Sequence, residues 1–163
     1  MKIYIASSWK NADDVRVIAS MLHELGFEVD DFTDDTKGRF VFHYSELGEV
    51  QVLDAINFLK DERSQRAFQE DKNWIDWADC VLLLLPAGKS SHLEAGYAKG
   101  SSKKLVIYQY SYPKGEFDVM YGFADLLTDD FKEVIKFLQE PHKCIDCEDA
   151  LVGGMCYECT KEQ

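Results

Sequence analysis

The run Cys80-Val-Leu-Leu-Leu-Leu85 has Asp79 on one side and Pro86 on the other, and no polar residue interrupts it. A strand with one wet face alternates apolar and polar residues. A strand that is apolar throughout must be covered on both faces, as in the middle of a parallel sheet. A parallel sheet needs crossover segments between its strands, and the flanking sequence supplies them. Lys2-Ile-Tyr-Ile-Ala6 reads as a first strand, broken by Ser7 and Ser8. Asn11 or Asp13 can cap a helix whose apolar positions Val15, Val17, Ile18, Met21, Leu22 and Leu25 fall at helical spacing, with Gly26 ending it.

Residues 27–29 read as a second, short strand, and 30–46 as a polar, irregular and mobile loop. Residues 48–78 read as helix, broken near Asp61. After the apolar run come a helix from about 92 to 100, a strand at 105–108, and a short helix with a final strand within 119–127. Thr128 then caps a helix over 129–139, and Pro141 stops further helix. The expected class is α/β, with a doubly wound, mainly parallel five-stranded sheet of flavodoxin- or Rossmann-like type and helices on both faces. Ligands of such sheets sit at the carboxyl ends of the strands. The turns after Ala6, Leu85 and Tyr108 are therefore where chemistry is expected.

Charge narrows the function. Thirty acidic residues against 18 Lys and Arg give a net charge of -12, which repels a phosphodiester backbone, so no nucleic-acid polymer is expected as partner. A small anion held in a local site remains compatible. The longest apolar stretch is far short of a membrane span, and the apolar start of the chain is too short for a signal-peptide core. A soluble, cytoplasmic protein is the expectation.

Four of the five cysteines crowd the C-terminus as Cys144-x2-Cys147 and Cys156-x2-Cys159, eight residues apart. Two tight turns, each presenting two thiolates, suit tetrahedral Zn²⁺. Gly153 and Gly154 let the connection bend back. Four protein ligands close the site, so the zinc is structural and catalysis is expected to require no cofactor. The division is an α/β domain over 1–140 and a zinc-binding tail over 141–163, which either binds a protein partner or caps the main domain. Cys80, at the start of the apolar run, reads as an inert core thiol.

Glu94 falls near the start of the helix that follows the apolar strand, where the helix dipole favours a carboxylate and keeps it ionised. The small residues Ala95, Gly96 and Ala98 leave room for a ligand. An ionised carboxylate there can attack a sugar's anomeric carbon. A Glu at a helix start is also a common stabilising feature, Asp71 alone reads as a surface helix residue, and Tyr4 as a core aromatic.

Asp71-x7-Asp79, the apolar strand, Pro and Gly, and then Ser-His-Leu-Glu94-Ala-Gly-Tyr-Ala98 together resemble the nucleoside 2-deoxyribosyltransferase family, which includes the 2'-deoxynucleoside 5'-phosphate N-hydrolases. Met1-Lys-Ile-Tyr-Ile-Ala-Ser-Ser-Trp9 and Asp118-Val-Met-Tyr121 extend the resemblance over about residues 1–139. The cysteine tail lies outside it. The resemblance implies that Glu94 forms a glycosyl-enzyme intermediate at C1'. It implies that Asp71 contacts the base and helps protonate it as it leaves, and that Tyr4 orients Glu94. Asp118 stands where the classical transferases carry a sugar-holding Asn, often across a subunit contact, and Met120 shares that segment. A homodimer or higher homo-oligomer is implied too. Asp71 would need a raised pKa to act as the acid, and Trp74 and Trp77 could supply the desolvation.

Ahead of the catalytic Glu the classical transferases place an acidic residue near the sugar's 5' hydroxyl, and the nucleotide hydrolases a Ser for a 5' phosphate. Here that stretch holds Lys89, Ser90 and Ser91. One cation, two hydroxyls and helix-start N–H groups make a phosphate cradle that Ser7, Ser8 and Lys10 could complete, although a solvated Lys and an ordinary Ser cap read the same way. The expected function is cleavage or exchange of the N-glycosidic bond of 2'-deoxynucleosides or their 5'-monophosphates. Ribonucleotide or NAD glycohydrolysis is a related option. The alternative is a non-catalytic nucleotide-binding module that recruits a partner through its zinc knuckle.

Overall fold

The computed structural model describes residues 1–34, 36, 38–41, 54–112, 114 and 117–140. Its strands are β1 (Lys2–Ala6), β2 (Glu28–Asp31), β3 (Cys80–Leu84), β4 (Lys104–Tyr108) and β5 (Leu126–Thr128). They form one sheet in the order β2-β1-β3-β4-β5, with every neighbouring pair parallel. The helices are α1 (Ala12–Glu24), α2 (Ala55–Phe58), α3 (Glu62–Trp77), α4 (Lys89–Gly100) and α5 (Phe131–Gln139). The apolar run is the central strand, and every residue of β3 is buried.

The two-residue period of the strands splits the core between the faces. Ile3, Ile5, Leu82, Leu84 and Val106 meet Val15, Ile18 and Leu22 of α1 and Val134 and Leu138 of α5. Tyr4, Ala6, Val81, Leu83, Leu105 and Ile107 meet Ile75 of α3 and Ala95 and Ala98 of α4. Each Leu or Ile so buried contributes roughly 2 kcal/mol. Tyr4 is thereby committed to the α3 and α4 side before any question of function arises. The chain order reverses direction between β1 and β3, the switch point at which such sheets open a crevice.

Several boundaries differ from the sequence expectation. β2 runs on through Asp30 and Asp31, both buried, rather than ending at Val29. Asp30 lies in register with Tyr4, on the same face, and is met there by Arg39. Asp31 accepts the Thr33 backbone N–H at 2.8 Å. Two acidic residues therefore fit a strand because each has a donor. The described part of 30–46 is tied to the sheet through Arg39, while 42–46 lie outside the described residues.

Helix 48–78 is two helices. Asp61 caps α3 by accepting the Arg63 N–H at 2.9 Å, and 48–53 lie outside the described residues. Asn11 precedes α1 but makes no side-chain cap there, because its amide bridges Ser7 Oγ at 3.1 Å and the Pro86 carbonyl at 2.6 Å. Gly26 (φ 85) takes the left-handed turn after α1. Asp130, not Thr128, caps α5. Helix α4 begins at Lys89 rather than near His92, with Gly88 as its cap. Among the described residues no helix is long and apolar enough to cross a membrane.

Candidate active site

Three elements deliver ionisable groups to the crevice. β1 brings Tyr4, which is 3% exposed. On α3, Asp71 stands one turn before the buried Ile75 and two turns after the buried Ser64, so it shares their inward stripe. On α4, Glu94 adjoins the buried Ala95 and is partly buried itself. The Tyr4 phenol hydrogen-bonds the Glu94 carboxylate.

A fourth member, Arg39, comes from the segment after β2. Its guanidinium pairs with Asp30 and with Asp71, the latter at 2.6 Å, and lies 5.6 Å from the Tyr4 ring centroid. The Arg39 and Asp30 side chains are 2% and 1% exposed, whereas Asp71 keeps 41% exposure. The sequence reading missed Arg39 because 30–46 reads only as a polar loop. The available signal was one Arg in a stretch carrying Asp30, Asp31, Asp34 and Asp35. A buried guanidinium among carboxylates is a recurrent arrangement.

The electrostatics correct the expectation for Glu94. Burial pushes its carboxyl up to about 7, and the neighbouring Asp71 charge adds to the rise, against the pull of Arg39 and the Tyr4 hydrogen bond. The helix dipole does not hold it ionised. With α4 starting at Lys89, Glu94 lies in the second turn, where the dipole has faded and desolvation wins. Asp71 is also raised by burial, with Arg39 opposing the rise. Trp74 spends its indole N–H on Glu70 at 3.0 Å. Burial, reinforced by Glu94, raises Tyr4 well above the ordinary phenol range, so it stays a donor. Desolvation works against the Arg39 charge, but Asp30, Tyr4 and Asp71 outweigh it and keep Arg39 a cation.

The other sequence-derived residues divide. Ser7 Oγ donates to the Leu84 carbonyl at 2.9 Å, and Ser91, buried in the first turn of α4, donates to the Ser7 carbonyl at 2.9 Å. Both hydroxyls lash the ends of β1 and β3 to α4. Ser8 caps the 3-10 turn Trp9–Asn11 through the Lys10 N–H. Lys89 and Ser90 are exposed in the first turn of α4. Asp118 accepts the Met120 N–H at 2.8 Å and caps the 3-10 turn Val119–Phe123, and both are exposed. Among the described residues no hydrogen bond or ion pair joins Lys89, Ser90, Asp118 or Met120 to the Tyr4–Glu94–Asp71–Arg39 cluster. Cys144, Cys147, Cys156 and Cys159 lie outside the described residues. Cys80 is fully buried, and burial pushes its thiol up to about 12, which makes it inert.

Beside the cluster opens a cleft of about 490 Å³, lined by Trp9, Phe32, Thr33, Gly38, Arg39, Phe40, Val41 and Arg66. The arrangement offers one carboxylate that a phenol aims, a second carboxylate held by a guanidinium, and an adjoining aromatic-walled space. Such a site can bond to or stabilise an electron-poor carbon while a flat leaving group departs.

No protein-family model matches the sequence, and no curated protein matches it. Solved structures do resemble the fold. A 2-deoxyribosyltransferase from Bacillus psychrosaccharolyticus superposes with a TM-score of 0.57 at 20% identity, over 82% of this chain and 90% of that one. A CMP N-glycosidase from Clostridium botulinum superposes with a TM-score of 0.51 at 15% identity, over 86% of this chain and 100% of that one. At these identities the likeness is one of fold.

Proposed function

We propose that this protein is an enzyme that breaks the N-glycosidic bond of a 2'-deoxynucleoside or its 5'-monophosphate through Glu94. The observation that carries the reading is a partly buried carboxylate, hydrogen-bonded by a phenol and flanked by a second carboxylate, at the switch point of the sheet. The two neighbours of similar fold, a deoxyribosyltransferase and a CMP N-glycosidase, both act on this class of bond and support it.

In the proposed step an ionised Glu94 oxygen bonds to C1' as the C1'–N bond breaks. The electron pair leaves with the base, which takes a proton from Asp71 or from water. Water, or a second base, then attacks C1' and releases Glu94. Tyr4 holds Glu94 in line, and the helix-start N–H groups of α4 with Lys89 and Ser90 offer a place for a 5' phosphate. The tail Cys144, Cys147, Cys156 and Cys159 has the donor set of a structural Zn²⁺ site, and a homodimer completes the proposal.

Base release followed by liquid chromatography tests the reading, with each deoxynucleoside and monophosphate, with and without an acceptor base. Release without acceptor that vanishes in Glu94→Ala supports hydrolysis, and a new nucleoside formed only with acceptor supports transfer. Undiminished release by Glu94→Ala would overturn the assignment.

A further inference from the structure

Among the described residues the cleft lining carries no carboxylate, although the chain has a net charge of -12. The ionic groups among its described residues are two guanidiniums, and they differ. Arg39 is committed to Asp30 and Asp71. Arg66, the fifth residue of α3, lies over Phe40 with its guanidinium carbon 4.0 Å from the ring centroid. Among the described residues no carboxylate pairs with it. A guanidinium stacked by its face keeps its N–H donors pointing outward in its own plane, and it has no acceptor.

Trp9, Phe32 and Phe40 give the cleft aromatic faces, beside Thr33, Gly38 and Val41. Trp9 and Phe32 meet edge to face at 4.7 Å, and Trp9 is 54% exposed. At about 490 Å³ the cleft falls within the usual range for a small-molecule site. Its occupant must therefore be flat, to use the rings, and must present acceptors at its rim, because the ionic rim only donates. Guanidinium against a ring carbonyl and an adjacent ring nitrogen is the matched pair for a 6-oxopurine, and an exocyclic amine in that place would set donor against donor.

We propose that Arg66 selects the leaving base, favouring 6-oxopurines over 6-aminopurines. The inference rests on the proposed glycosidic activity, for which it names the substrate class. Arg66 acts at the edge of the base and has no part in breaking the bond.

The test compares deoxyinosine with deoxyadenosine, as a pair of nucleosides and as a pair of 5'-monophosphates, in the parent and in Arg66→Gln. The parent should prefer the oxo member of each pair by about tenfold or more in kcat/KM. Arg66→Gln should bring each pair within about threefold, chiefly by slowing the oxo substrate, with the nucleotide-to-nucleoside ratio unchanged. Equal loss on both members of a pair, a loss confined to monophosphates, or a parent that prefers the amino base would each overturn the proposal. A second measurement separates it from the activity itself. Calorimetric titration of the free bases into the parent should show hypoxanthine binding more tightly than adenine, and Arg66→Gln should lose that difference. If no nucleoside turns over yet this pattern holds, the selectivity stands and the activity falls. If hypoxanthine and adenine bind the parent alike, the selectivity falls.

Discussion

Tyr4 on the first strand hydrogen-bonds Glu94 on the fourth helix, joining the carboxyl-end crevice across two elements that are remote in the chain. The bond favours the ionised carboxylate against a burial that favours the acid. Tyr4→Phe keeps the ring that packs against Ala95 and its neighbours and deletes only the donor. The acid limb of kcat/KM, expected near the Glu94 value of about 7, should then move to higher pH by roughly half a unit to one unit, with the melting temperature little changed. A pH–rate profile checks this, and an unmoved limb would detach Tyr4 from Glu94.

Glu94→Gln should abolish turnover and yet stabilise the fold above neutral pH. The folded value of about 7 lies above the ordinary 4.5, so the folded state binds more protons than the unfolded one between those limits. Stability therefore falls as pH rises through that window. Removing the titration should gain on the order of 3 kcal/mol at pH 8, with the gain shrinking towards pH 4.5. Urea unfolding of the two proteins at both pH values is the measurement.

Arg39→Ala should be the most damaging single change in the site. It strands Asp30, 1% exposed, without its cation, and loss of one partner from such a buried pair costs about 3 kcal/mol. Adding Asp30→Asn removes the stranded charge and should return a large part of that stability. A double-mutant cycle in denaturant decides it, and simple additivity would show that the pair contributes no coupling.

The cysteine tail makes a chemical prediction. The purified chain should carry one zinc per chain by elemental analysis, and Cys144→Ser or Cys156→Ser should lower that content severalfold while the circular dichroism of the α/β domain persists. Full zinc content in both variants would place the metal elsewhere.

Much of this architecture was legible in the chain. The uninterrupted Cys80–Leu84 strand could only be central, and the alternating strands and helices around it imposed a parallel sheet. Glu94, Asp71 and Tyr4 were legible as a set because their surrounding segments form a recognisable pattern, and the structure does bring them together with one another. Ser7 and Ser91 were legible as neighbours of the site, but not as the pair that ties β1 and β3 to α4. Arg39 escaped altogether, since its partners Asp30 and Asp71 sit on different elements.

Local pattern thus determined the elements and their order, because strand period, helix spacing and caps are properties of neighbouring residues. Protonation was beyond its reach. Whether Glu94 is ionised depends on how much water the packed helices exclude and which charges they bring within range, and those distances exist only once β1, α3, α4 and the Arg39 segment have met.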